Sequence, residues 1–260
     1  MHLVPLLELL YTARNNFTSI HVSWRYWYRK DLMQTALSNY AAQRSPSVQM
    51  LSSKKTQPTP TSSQPERETV INRRLLWQKP TFWRYEEDRP TENNALLRII
   101  SDNRFWTYAT ASNKVYTNVE PEAGRKPFRI RKRKKRSQEQ FPSLEDEIKD
   151  VPLVDPSFLL ATHHLTPIET TTYLDREAIR VRGVYRTGRI LPWEPFFWAI
   201  ADENELLVDS RRGILLYYSA VANHQVIAIA SVENVIFDEA ISPDLFNFTP
   251  PAKSLVEIAV

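Results

Sequence analysis

The stretch "IHVSWRYWYRK", residues 20–30, places four aromatic rings and three basic side chains in eleven positions. Composition alone suggests a surface that stacks on nucleic acid. The period says otherwise. Ile20, Val22, Trp24, Tyr26 and Tyr28 fall on one face of a strand, while Arg25, Trp27 and Arg29 fall on the other. A stacking platform needs rings and cations on the same exposed face. The stretch therefore reads as a long strand with rings inward and arginines outward, and nucleic acid is disfavoured as a partner.

The sequence around it has the same character. Before it, Leu6, Leu9, Leu10, Ala13 and Phe17 recur at helical spacing after Pro5, which predicts a short amphipathic helix. After it, "LMQTALSNYAAQ" (32–43) reads as a second short helix or the return strand, with propensity on the side of helix. Four strands then follow in short order at 70–78, 82–88, 95–101 and 105–110, separated by Lys79-Pro80, by 90–94 and by Asp102-Asn103. Asp155-Pro156 suits the cap and first position of a helix running through "SFLLATHHL" (157–165). The last third reads as strands at 178–186, 205–209, 213–221, 226–231 and 232–240, with turns at "SRRG" (210–213) and Asn223-His224. The result is one antiparallel sheet with both flanking helices packed on the same face, because an amphipathic helix must bury its stripe on something.

Two segments differ. Residues 45–68 are rich in Ser, Thr, Pro and Lys, and residues 122–152 hold a basic block followed by an acidic one. Neither offers enough apolar surface to offset ordering its backbone, so both are expected to be disordered insertions in a single domain spanning 1–260. The basic block contains Arg131, Lys132, Arg133, Lys134, Lys135 and Arg136, a candidate contact for an anionic membrane surface or, as a further alternative, for nucleic acid through 129–136.

The 260 residues are 42% hydrophobic and 11% aromatic, with four glycines, eighteen prolines and a net charge of +4. The absence of cysteine excludes disulfides, thiolate metal sites, cysteine nucleophiles and a lipidated cysteine within these residues. The start "MHLVPLLELLYTARNNF" lacks a positive leading region and is interrupted by Glu8, so it is not read as a signal peptide, and a cytoplasmic protein is expected. No apolar run reaches the roughly 20 residues of a membrane-spanning helix. No nucleophile elbow, zinc-protease motif or phosphate loop occurs. Adjacent histidines on a helix point about 100° apart, so His163-His164 make a poor chelate. No catalytic residue, metal or cofactor is assigned, and the chain is read as a non-enzyme.

The aromatic pairs carry the remaining signal. Trp24 and Tyr26, Trp83 and Tyr85, and Trp106 and Tyr108 are each spaced to share a strand face. Adjacent strands would join them into one aromatic wall, either as plain core beneath the helices or as the lining of an apolar cavity.

The C-terminal third, "ENELLVDSRRGILLYYSAV" followed by "VENVIFDEAISPDLFNFTPP", resembles the lipoprotein-carrier (LolA-like) superfamily. In that family a leu-x-val-asp strand enters a long hairpin, and the closing segment is spaced like Phe237, Asp238, Ile241, Phe246, Phe248, Pro250 and Pro251. "RLLWQKPTFWRYEED", "FWTYATASNKVYTN" and "DREAIRVRGV" resemble its earlier hairpins and turn. The resemblance implies an α+β, mainly antiparallel, unclosed half β-barrel with a few helices in its concave face. It also implies a lipid or other apolar small molecule as partner, with the six wall residues as cavity lining and Leu6, Leu9 and Leu10 as part of a lid. A protein partner, as in the RseB-type regulators of the same superfamily, is the alternative. A monomer is expected.

Overall fold

The structure, a computed structural model, describes residues 3–44, 68–102, 104–119, 129–133, 151–186 and 200–259. Residues 45–67, and most of 122–150, lie outside the described residues.

Helix α1 (Leu3–Thr12) tightens into a 3-10 turn at Ala13–Asn15 and leads into β1 (Ser19–Arg29). Helix α2 (Lys30–Arg44) follows, then β2 (Glu68–Gln78), β3 (Phe82–Arg89), β4 (Asn94–Ser101), β5 (Arg104–Ala109), β6 (Lys114–Thr117) and β7 (Arg129–Arg133). The second half holds α3 (Phe158–Thr162), β8 (His163–Tyr173), β9 (Arg176–Tyr185), β10 (Glu203–Asp209), β11 (Leu215–Ala222), β12 (Gln225–Phe237) and β13 (Leu255–Ala259).

All thirteen described strands form one sheet in the order β7-β13-β6-β5-β4-β3-β2-β1-β12-β11-β10-β9-β8. Two meanders, β1 to β6 and β8 to β12, are joined by the antiparallel ladder between β1 and β12. The sheet does not close: β7 and β8 are its two ends. This is the mainly antiparallel, open half barrel implied by the resemblance. The parallel pairs are those of β13 with β6 and β7.

Register explains the division of faces. On β1, Ile20, Val22, Trp24 and Tyr26 are buried, and their partners on β2 include Trp77, Leu75 and Ile71. Helix α1 seals the same face through Leu6 and Leu10, one turn apart and both fully buried. Ala13 and Phe17 continue that stripe beyond the end of the helix. A smaller core on the opposite face gathers Leu76, Ile99 and Phe246.

Four elements differ from the sequence reading. Residues 163–165 are not helical: α3 stops at Thr162 and His163 opens an eleven-residue strand. The Asp155 carboxylate accepts from the Ser157 hydroxyl at 2.6 Å, so it braces the entry to α3. The Thr- and Ile-bearing run after His163 alternates in a strand period, which overrides the helical start. The segments 226–231 and 232–240 are one strand, β12, of thirteen residues. Finally, Arg129–Arg133, inside the segment expected to be disordered, forms β7 on β13, and Glu68, assigned to the first insertion, opens β2.

The turns follow backbone chemistry. Asn223 and His224 both have positive φ, 50° and 61°, and make the two-residue turn between β11 and β12. Asp209 organises the β10–β11 loop: its carboxylate accepts the amides of Arg211 and Arg212 at 2.9 and 2.8 Å and pairs with Arg176. Gly213, at φ 77°, lies so close to α1 that a Cβ would sit 2.3 Å from the Leu9 carbonyl oxygen.

Candidate functional site

Alternation brings Trp24, Tyr26, Trp83 and Tyr85 to the helix-covered face, and all four are buried. Trp83 stacks on Tyr85 at 5.7 Å between ring centroids, and Trp24 lies 6.2 Å from Tyr85. Tyr26 packs against Tyr28 at 5.4 Å. Trp77, which the sequence reading passed over, belongs here too: it is the direct cross-strand partner of Trp83 and meets Phe17 edge-on at 5.4 Å. Its signal was available, because Trp77 and Trp83 flank a short Lys-Pro turn at spacing that pairs them across a hairpin.

Trp106 and Tyr108 do not join this wall. Trp106 pairs with Ile99 and Tyr108 with Leu97, residues of the opposite face. There both rings pack on Phe248, at 5.6 and 5.8 Å. The expected wall of six is thus divided by one residue of register across the β4–β5 hairpin. The segment after β12 covers this second face. Phe246 is buried against Phe82 at 5.3 Å, and Arg84 donates to the Leu245 carbonyl at 2.6 Å. The phe-x-phe spacing seen in the sequence places both rings on that face.

The helix-covered wall has a polar border. The Glu87 carboxylate accepts from Tyr85 Oη at 2.9 Å, Arg73 Nε at 3.0 Å and Arg89 Nε at 2.7 Å. Burial pushes the Glu87 carboxyl up. Arg73, with the hydrogen bonds from Arg89 and Tyr85, outweighs that and holds it below its ordinary value. Burial raises the phenols of Tyr26 and Tyr85, so both stay neutral and hydrogen-bond competent. The Arg73 guanidinium lies 5.3 Å over the Tyr26 ring. The wall thus ends on a phenol, a guanidinium and a carboxylate that satisfy one another.

A second buried polar group lies in the other meander. His163 is linked to Thr162 Oγ1 at 2.7 Å and to Asn204 Nδ2 at 3.2 Å, and Tyr218 Oη donates to Asn204 Oδ1 at 3.0 Å. Burial, with the nearby Arg186, lowers the imidazole to about 4. His164, its neighbour, is exposed, so the two do not converge. Among the described residues no group of three or more His, Asp or Glu could hold a metal, and no helix is long and apolar enough to cross a membrane.

Of the expected lid, Leu6 and Leu10 are core residues and Leu9 is half-buried against them. The end of α1 is clasped from below: the Lys79 ammonium donates to the carbonyls of Arg14 and Phe17, and Arg212 donates to that of Asn16. A cleft of about 380 Å³ is lined by Ser23, Arg74, Arg84, Glu86, Leu97 and Tyr108, and it reaches Arg73 and Glu87 of the polar border. Arg131, Lys132 and Arg133 fall in the terminal strand β7, whereas Lys134, Lys135 and Arg136 lie outside the described residues.

No family model matches the chain, and no curated protein does. Solved structures similar to it include an uncharacterized conserved protein from Thermus thermophilus, at 10% identity and a TM-score of 0.46, covering 97% of this chain and 98% of that one. The MucA/MucB complex of Pseudomonas aeruginosa gives 10% identity and 0.46, covering 96% of this chain and 62% of that one. The Mycobacterium tuberculosis lipoprotein LppX gives 8% and 0.43, covering 93% and 99%. This chain therefore spans less than two thirds of the MucB chain it matches. A lipoprotein among these matches, and an outer membrane lipoprotein-sorting protein domain from Vibrio parahaemolyticus beside it, run against the cytoplasmic placement expected from the sequence, which is withdrawn.

Proposed function

We propose that this protein is a non-enzymatic binding protein that takes a lipid or other apolar ligand against the helix-covered face of its half barrel. The observation that carries the reading is the concentration of Trp24, Tyr26, Trp77, Trp83 and Tyr85 on that face, bordered by the Arg73–Glu87–Arg89 cluster. Aromatic rings supply a large apolar surface of fixed shape. Leu6, Leu9 and Leu10 of α1 would then form part of the cover. Protein purified without detergent, extracted with organic solvent and analysed by mass spectrometry should release a stoichiometric lipid. Delipidated protein should bind an acyl-chain fluorophore. No co-purifying lipid together with no acyl-probe binding sinks the reading.

The same burial supports a second reading, in which the face is a solid core and the protein is an interaction module for a protein partner. Trp24 and Trp83 are only 3% and 1% exposed. Under this reading, pull-down from the native host recovers a discrete protein partner while the acyl probe fails to bind.

A further inference from the structure

The side chains of Trp77 and Trp83 are 4% and 1% exposed, and neither indole N–H has a hydrogen-bond partner. A buried donor without an acceptor forfeits its hydration and gains nothing in return, which is why such groups are rare in folded proteins and call for an explanation. Here two occur together. Trp77 and Trp83 are directly opposed on β2 and β3, on the helix-covered face. Opposed residues hold their Cβ atoms about 5 Å apart, so the two indoles are neighbours on that face. The rings around them are apolar: Phe17 meets Trp77, and Tyr85 stacks on Trp83. Phenylalanine would fill much of this space without the orphaned donor.

Indole donates and cannot accept. A pair of indoles in an aromatic setting therefore selects an oxygen acceptor on an apolar body. We infer that Trp77 and Trp83 are the polar anchor of the ligand site and that the ligand offers them an acyl carbonyl oxygen. The inference rests on the apolar-ligand reading and specifies what that reading leaves open, namely where the carbonyl end of the ligand sits. Both N–H groups are sealed from solvent here, so the carbonyl reaches them only when the packed layer above gives way.

The test uses three pyrene-labelled probes of matched chain length: a methyl ester, a free acid and a hydrocarbon without oxygen. Each is titrated into delipidated wild-type protein and into the Trp77→Phe and Trp83→Phe variants. Each substitution should weaken an oxygen-bearing probe about fivefold, the effect of one neutral hydrogen bond, and leave the hydrocarbon within about twofold. Loss confined to the ester identifies an esterified acyl group, and loss confined to the acid identifies a free fatty acid. An equal effect on all three probes, or none on any, overturns the inference while the apolar-ligand reading stands. Binding of no probe to wild-type protein overturns both. Should either variant misfold, the indole N–H resonances of wild-type protein provide the second readout: a downfield shift of two indole signals with ester or acid, and not with hydrocarbon, supports the anchor. Unmoved signals with bound ester or acid remove it.

Discussion

The carboxylate of Asp238, just past the end of β12, meets the guanidinium of Arg212, in the loop between β10 and β11, at 2.7 Å. The other carboxylate oxygen accepts the amide and hydroxyl of Thr18 at 2.7 and 3.0 Å. One residue thus ties together the entry to β1, the exit from β12 and the loop that supports α1. Those amide and hydroxyl bonds, with Arg212, hold its carboxyl below the ordinary value.

Asp238 also has a φ of 59°, a conformation that Asp and Asn tolerate better than Ala. Asp238→Ala should therefore cost about 1–2 kcal/mol, combining lost hydrogen bonds with backbone strain. Asp238→Asn should cost less. Urea denaturation of the two variants beside wild type checks the order. A depressed carboxyl contributes stability above its unfolded value and loses it as pH falls through the folded one, so the wild-type advantage over Asp238→Asn should shrink on acidification below about pH 4.

His163 gives a pH dependence in a different window. Its folded value, about 4, lies below the ordinary 6.5, so the fold favours the neutral ring. Above pH 6.5 neither state holds the extra proton and the contribution is complete. Between 6.5 and 4 the unfolded chain protonates first, and stability falls by roughly 3 kcal/mol across that range. His163→Gln should flatten this part of the profile, although it starts from lower stability. Chemical denaturation at a series of pH values is the check, and an unchanged slope in the variant would reject the assignment.

Gly213→Ala should loosen α1. The new Cβ meets the Leu9 carbonyl, part of the helix backbone, and cannot be relieved by a side-chain rotation. A loss of about 2 kcal/mol or more is expected, from the positive φ and the clash together. Hydrogen exchange of the α1 amides should accelerate more than that of β2 to β4.

Phe246→Ala separates the two faces. This ring is 2% exposed in the core opposite the helices, and its loss should cost about 3 kcal/mol or more. Acyl-probe affinity of the folded variant should match wild type, because the ring touches Phe82 rather than the wall of Trp24, Tyr26 and Tyr85. A tenfold loss of affinity in folded Phe246→Ala would place the ligand on the wrong face.

Much of this fold was legible because strand alternation is a local property. The faces of Trp24, Tyr26, Trp83 and Tyr85 follow from spacing within a single strand. The division between Trp83 and Trp106 does not, because it depends on how many residues separate β3 from β5 through β4 and its turns. An even spacing inside each strand says nothing about register between them. Trp77 escaped notice for the same reason: its importance comes from its partner across the hairpin. β8 was hidden by a helix that does form, capped by Ser157 rather than by Asp155, but that lasts only five residues. β7 was hidden by charge, since "RIRKR" has the alternation of a strand only once β13 is there to pair with it.

The ladder between β1 and β12 has a consequence for synthesis. Thr18 and Asp238, at one end of it, are 220 residues apart in the chain. Each meander forms from neighbouring hairpins, but this seam must wait until the 220 residues between its two sides have emerged. Until then β1 has a free edge, and its row of inward rings lacks part of the surface that buries it, a state prone to association with other chains. Slow translation or a shortage of folding assistants should therefore harm this protein through β1, long before any ligand is met.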